Sequence, residues 1–220
     1  MVSRQSRQES IAPSQGTEVG LRGYRIRDIA KARERRREIL MGAARAFAHG
    51  GYDATNMDQI AHECGLAKGH IYHYFRSKEE IFTEIRTEAI TGAIEQLASV
   101  LPIASQDPEL ALRKAISWLI ARVFERGGRY EPMLPNPVSL SSENARQIRT
   151  LSQRYEQLFA SILRQGIEKG AFVSDDPKLM TFVILRAANA VATWYREGGR
   201  WKPQWIVEKV TEQLLRSVKP

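Results

Sequence analysis

Residues 55 to 82 constrain the fold more than any other stretch. They read Thr55-Asn-Met-Asp-Gln-Ile-Ala-His-Glu-Cys-Gly65-Leu-Ala-Lys-Gly-His-Ile-Tyr-His-Tyr-Phe75-Arg-Ser-Lys-Glu-Glu-Ile-Phe82. Two short helical patterns flank Gly65, a residue that accepts the left-handed backbone angle of a tight turn. Thr55 is expected to cap the first pattern, with Asp58 as its capping-box partner and Met57, Ile60 and Ala61 turned inward. The second pattern spans about Ala67 to Tyr74, anchored by Leu66, Ile71 and Phe75. Ser77-Lys78-Glu79-Glu80 is a capping box that starts a further helix, expected to run to about Leu101 and stop at Pro102.

Upstream, Ile39, Leu40, Ala43, Ala44 and Phe47 recur at three- and four-residue steps on one face of a helix that begins between Ile26 and Ala32 and ends at Gly50-Gly51. Residues 1–30 carry no apolar period and read as a flexible basic arm. Downstream, Asp107-Pro108 opens a helix bearing Leu112, Ile116, Leu119 and Val123, with a stop at Gly127-Gly128. Ser141-Ser142 opens a long helix to Lys169, striped with Leu151, Tyr155, Leu158, Phe159, Ile162 and Ile167, with a break placed near Thr150. Asp176-Pro177 opens another to about Glu197, and Pro203 opens the last. No stretch sustains period-two alternation, so the expected class is all-α.

Charge narrows the function. The chain carries a net +8 over 220 residues, and the excess is uneven. Residues 1–49 hold eleven basic and five acidic side chains, a local +6, just ahead of the Gly65 unit. Lys31, Arg33, Arg35, Arg36 and Arg37, with Arg22, Arg25 and Arg27 of the arm, are suited to tracking phosphates. A single cysteine, Cys64, excludes an intramolecular disulfide and fits a reducing cytoplasm. No apolar run is long enough to span a bilayer, so no membrane partner is expected. No phosphate-binding glycine loop, H-E-x-x-H or G-x-S-x-G motif is present, and the four histidines, all within residues 49–73, follow no metal-ligand spacing. The expectation is a non-enzyme with no metal and no cofactor.

Three helices with a glycine turn between the second and third describe a helix-turn-helix, with the motif at residues 56–75 inside a unit of residues 31–78. With Ile71 and Phe75 turned inward, the second helix of the motif presents Lys68, Gly69, His70, Tyr72, His73 and Tyr74, a donor-rich surface suited to phosphates and base edges. The run Ile39-Leu40-x-x-Ala43-Ala44-x-x-Phe47, followed by Gly51-Tyr52, Thr55, Ile60-Ala61, Gly65-Leu66, Ile71-Tyr72-x-Tyr74-Phe75 and Ser77-Lys78-Glu79-Glu80, resembles the TetR family of bacterial repressors. The resemblance implies phosphate contacts from Tyr72, Tyr74 and Lys78. It implies base reading by Lys68, Gly69, His70 and His73, with Thr55, Met57 and Asp58 at the groove edge. Ala67 departs from the family's usual Ser or Thr cap.

The same resemblance implies that residues 79–220 form a helical effector-binding and dimerisation domain. The helices at 153–169 and 179–197 suit half of a four-helix dimer interface. A dimer places two reading helices about 34–36 Å apart on a palindromic double-stranded operator. Candidate effector-pocket residues are Trp118, Arg122, Tyr130, Met133, Phe182, Arg186, Asn189 and Trp194. Arg122, Arg186 and Asn189 stand out on otherwise apolar helices, because a buried charge needs a partner. A shorter likeness, in Gln165–Phe172 and Trp194–Gly199, is to family members that sense acyl-CoA thioesters; other lipophilic effectors stay open. The expected function is a ligand-released repressor, with an effector-independent architectural DNA binder as the alternative.

Overall fold

The computed structural model describes residues 29–125, 140–173 and 176–219. Among them every regular element is helical: α1 (Ile29–Gly50), α2 (Met57–Cys64), α3 (Lys68–Ile71), α4 (Lys78–Ala104), α5 (Pro108–Ala121), α6 (Ser142–Glu168), α7 (Pro177–Trp194) and α8 (Pro203–Arg216), with a short 3-10 turn at Arg122–Phe124. The all-α expectation holds. Most of the arm expected over residues 1–30, and the stop expected at Gly127-Gly128, lie outside the described residues.

The polar caps act largely where the sequence places them. Ser77 accepts from the Glu80 amide at 3.1 Å, Asp107 from the Leu110 amide at 2.9 Å, and Asp176 from the amides of Lys178 and Leu179 at 2.8 and 3.1 Å. The box at Ser77 closes one residue early, because the Glu80 carboxylate accepts from the Arg76 amide at 2.6 Å. Two boundaries differ from expectation. Pro102 does not end α4, which continues to Ala104; only one more turn follows, so few bonds are forfeited. The break near Thr150 is absent, because α6 packs Ile148 into one core and Phe159, Ile162 and Leu163 into another on a single continuous stripe.

These two cores organise the molecule. The first gathers Ile39, Leu40, Ala43, Phe47, Ile60, Ile71, Phe75, Ile81, Phe82 and Ile148. The second gathers side chains of α4 to α8 around the central helix α5, including Leu112, Ile116, Ile120, Phe159, Ile184 and Ile206. The first core reaches beyond residue 78, into the first turns of α4 and the amino-terminal part of α6. Tyr155 and Leu158 touch both cores. The helix-turn-helix unit therefore rests on two long helices that also wall the second core, and each spans about 40 Å.

Candidate nucleic-acid interface

The reading unit is built from α1 to α3. Gly42 on α1 is buried against α2, where a Cβ would overlap the Cys64 sulfur, so the two helices cross at close range only because position 42 has no side chain. Asn56, rather than Thr55, caps α2: its side-chain oxygen accepts from the amides of Asp58 and Gln59 at 3.0 and 2.9 Å. The Gln59 side chain accepts from the Asn56 amide at 2.8 Å, completing a capping box one residue later than expected. Gly65 takes φ +64 and ends α2 in the left-handed conformation, as the turn requires. Nothing caps Ala67 from its side chain, and α3 holds α-helical geometry only over Lys68–Ile71 before tightening into turns at residues 72–74.

This framework sorts the expected contact residues. Asp58, Lys68, Gly69, His70 and His73 are exposed, Tyr72 and Tyr74 half-buried, and Ile71 and Phe75 wholly buried. The Lys68 ammonium donates to the Asp58 carboxylate at 2.7 Å across the turn, a contact that holds the lysine more strongly protonated. The His70 and His73 rings meet edge to face, 6.0 Å apart. Two expectations are corrected. Thr55 is 3% exposed, and its hydroxyl donates to the Gly51 carbonyl at 2.6 Å. Met57 is 8% exposed and belongs to the first core, as its helical register predicts, and so does not stand at the groove edge. Their side chains brace the unit from inside instead of facing outward, Thr55 because the cap has shifted to Asn56.

Two cations hold the unit from its flanks. Arg36 on α1 donates to the Tyr74 carbonyl at 2.6 Å, pairs with Glu84 on α4, and lies 4.0 Å from the Phe75 ring centroid. Lys78 donates to the carbonyls of Tyr52, Asp53 and Thr55 at 2.9, 3.1 and 2.9 Å. Sequence reasoning took Arg36 only as part of a phosphate-tracking cluster. It offers no signal for a pairing with residues 38 and 48 positions away. Burial beside the carboxylates of Glu79 and Asp53 pushes the Tyr52 phenol up to about 12, so it stays protonated. Burial also pushes the Cys64 thiol up, which suits a packed small hydrophobe better than a reactive thiol. Among the described residues no acidic, histidine and cysteine side chains cluster as a metal site.

The expected effector residues do not converge. Arg122 donates to the Ala89 carbonyl of α4 at 3.2 Å and lies 5.3 Å from the Trp118 ring centroid. Phe182, Arg186 and Trp194 lie exposed on the outside of α7, and Asn189 is half-buried. Arg186 is solvated, so the argument from a buried charge does not apply to it. Tyr130 and Met133 lie outside the described residues. The stretch around Gly166 has a structural explanation of its own. Phe172 folds back onto the face of α6 that a Cβ at Gly166 would block, and Gly170 at φ +70 turns the chain. A cleft of about 560 Å³ opens elsewhere, between α5 and α8. Ala121, Phe124, Pro203 and Val207 supply its apolar wall, and Ser117 and Thr211, with hydroxyls 3.1 Å apart, its polar end.

Comparison with known proteins agrees with this architecture. Residues 39–85 match the tetR family of bacterial regulatory proteins, and residues 105–218 match the tetracyclin repressor-like C-terminal domain. The repressor KstR2 of Rhodococcus jostii is 28% identical over 187 residues, covering 84% of this chain and 89% of the relative. The crystal structure of the TetR family regulator PfmR from Thermus thermophilus superposes with a TM-score of 0.69 at 33% identity, covering 81% of this chain and 97% of that one. AibR in complex with isovaleryl coenzyme A and operator DNA shares the fold, with a TM-score of 0.67 at 24% identity over 84% of this chain and 98% of that one. With both of its parts matched and its helix-turn-helix built as described, the chain belongs to the TetR family of transcriptional regulators.

Proposed function

We propose that this protein is a dimeric repressor that reads a palindromic operator with α3 and is released by a small lipophilic or acyl-CoA-type effector. The observation that carries the DNA-binding half is the division of α3 and its turn: Ile71 and Phe75 lock inward while Lys68, Gly69, His70 and His73 stand in solvent. Lys68, His70 and His73 offer donors to base edges, the bare Gly69 permits close approach, and the half-buried Tyr72 and Tyr74 offer hydroxyls to phosphates. The Asp58–Lys68 pair sets the lysine's direction before it meets a base.

The dimer reading rests on α7 and α8. Leu179 (61% exposed), Phe182, Val183 (47%) and Trp194 leave apolar area uncovered on α7 around the exposed Arg186, and Trp201, just before α8, and Trp205, in its first turn, continue it. The α6 helix, expected to share this role, buries its stripe within the subunit and turns Gln153, Arg154, Gln157 and Arg164 outward. An apolar surface of this kind marks an interaction site, which supports self-association through this face. The effector reading draws on the 560 Å³ cleft between α5 and α8, which is of drug-ligand size, and on the isovaleryl coenzyme A bound by AibR. Ligand in that cleft, preferring the released state, shifts α4 and with it the reading unit.

Selection of binding duplexes from a random pool, followed by footprinting, tests the reading. One palindrome protected on two faces a helical turn apart is the expected result. Sequence-indifferent protection instead supports an architectural DNA binder. A thermal-shift screen with acyl-CoAs and free lipophiles tests the effector class, since a ligand that prefers the folded protein raises its melting temperature.

A further inference from the structure

Lys78 differs from the other basic residues near the reading helix in what its ammonium already does. An ammonium has three N–H donors and accepts nothing. Lys78 has three carbonyl partners within hydrogen-bond reach: Tyr52, Asp53 and Thr55 at 2.9, 3.1 and 2.9 Å. Its Nζ also lies 4.6 Å from the Tyr52 ring centroid. All three carbonyls belong to the turn joining α1 to α2, immediately before the Asn56 cap. Lys68 provides the contrast, since its partner among the described residues is the exposed carboxylate of Asp58, and both side chains can swing to a ligand.

We infer that Lys78 is a positioning residue for DNA binding, not a phosphate anchor: its tripod of bonds ties the α1–α2 turn to the first turn of α4. That bond set determines where α2 begins and so the angle at which α3 meets a duplex. For Lys78 to reach a phosphate, three charge-assisted hydrogen bonds would have to open, and of the three turn carbonyls Tyr52 would keep the Thr55 amide at 3.3 Å as a donor. Arg36 plays the matching part at the other end, holding the Tyr74 carbonyl and Glu84 together. The inference rests on the DNA-binding reading above.

The test uses the full-length protein, a long mixed-sequence duplex, and the variants Lys78→Met and Lys78→Arg. Affinity is measured by fluorescence anisotropy over a range of salt, and amide hydrogen exchange is followed in the DNA-free protein. Both variants are expected to bind on the order of tenfold more weakly, the equivalent of one charge-assisted hydrogen bond. The slope of log affinity against log salt is expected to match the wild type. Amides 52–57 are expected to exchange faster without DNA, a change that loss of a phosphate contact does not produce. Lys78→Arg keeps the charge and most of the volume, and it carries the test if Lys78→Met does not fold. Its planar fork cannot aim three donors from one point, so a positioning role loses affinity where a phosphate anchor tolerates the exchange. Three results each overturn the inference: a slope shallower by about 0.9 in Lys78→Met, wild-type affinity in Lys78→Arg, or unchanged exchange at 52–57. If the wild type binds no duplex with salt-dependent affinity, the DNA-binding reading itself fails.

Discussion

At the scale of single residues, the close crossing of α1 and α2 depends on an atom that is missing. A Cβ at Gly42 would overlap the Cys64 sulfur, which sits between helices already in contact. Gly42→Ala is therefore expected to destabilise the fold by about 1–3 kcal/mol, the range for overpacking a filled site. Pairing it with Cys64→Ala should recover most of that loss, and denaturant unfolding of the four proteins in the cycle measures it; additive losses would mean that the two side chains do not meet. Asn56→Ala removes the acceptor for two α2 amides and should cost about 1 kcal/mol, whereas Thr55→Ser, which keeps the buried hydroxyl, should cost less. If Asn56→Ala costs nothing measurable, Asn56 is not the cap. Much of this site is legible in the sequence. Gly65, Ile71 and Phe75 announce themselves because turn chemistry and helical period are local. Gly42, Arg36 and the true bonding of Lys78 are not legible, because each depends on a partner more than twenty positions away. The cap slipped by one residue because Thr, Asn and Ser can all fill that place, and only the backbone angles choose among them.

At the scale of elements, the contact between α4 and α6 ties the reading unit to the rest. The Glu79 carboxylate on the first turn of α4 accepts from the Ser141 amide at 2.9 Å and the Asn144 side chain at 2.6 Å, at the start of α6. The Ser141 side chain first, then the Asn144 side chain and the Ser141 amide, favour the ionised form and hold the Glu79 carboxyl below its ordinary value of 4.5. A carboxyl lowered in the folded state contributes stability that is complete above the unfolded value and is lost as pH falls through the folded one. Wild type should exceed Glu79→Gln in stability near neutral pH, and the gap should narrow as pH drops below 4.5. Thermal melts of both proteins across that range check it. Glu109 and Glu212 are lowered as well, by Lys219 and Arg113, so acid weakens both proteins. A gap that stays constant with pH would remove Glu79 from the account. Helix starts along the chain are readable from Asp-Pro and Ser-x-x-Glu signals, while the role of α6 as a shared wall is not. Its stripe has the same period whether it faces a partner subunit or the core of its own.

At the scale of the whole molecule, the uncovered face of α7 and α8 has the most to explain. Three tryptophans stand there, Trp201 and Trp205 stacked with rings 5.7 Å apart and Trp194 edge-on to Trp201 at 6.2 Å. Each is close to half exposed in the single subunit, next to Leu179, Phe182 and Val183. If a second copy covers this face, a carboxylate placed at its centre must be desolvated, a cost that the exposed Arg186 one turn on offsets only in part. Phe182→Glu is therefore expected to raise the dimer dissociation constant by roughly a hundredfold or more, read by analytical ultracentrifugation. Trp194, Trp201 and Trp205 give a second readout, since their emission should shift to the red as the face becomes wet. The partly buried Phe124–Tyr195 contact, between the 3-10 turn after α5 and the residue that ends α7, lies apart from position 182 and should persist in that variant. Operator affinity should fall by more than the loss of either contact set alone, because each reading helix then binds one half-site without the gain in effective concentration supplied by its twin. A variant that stays dimeric with unchanged emission would move the interface elsewhere and leave the tryptophan face free for another partner.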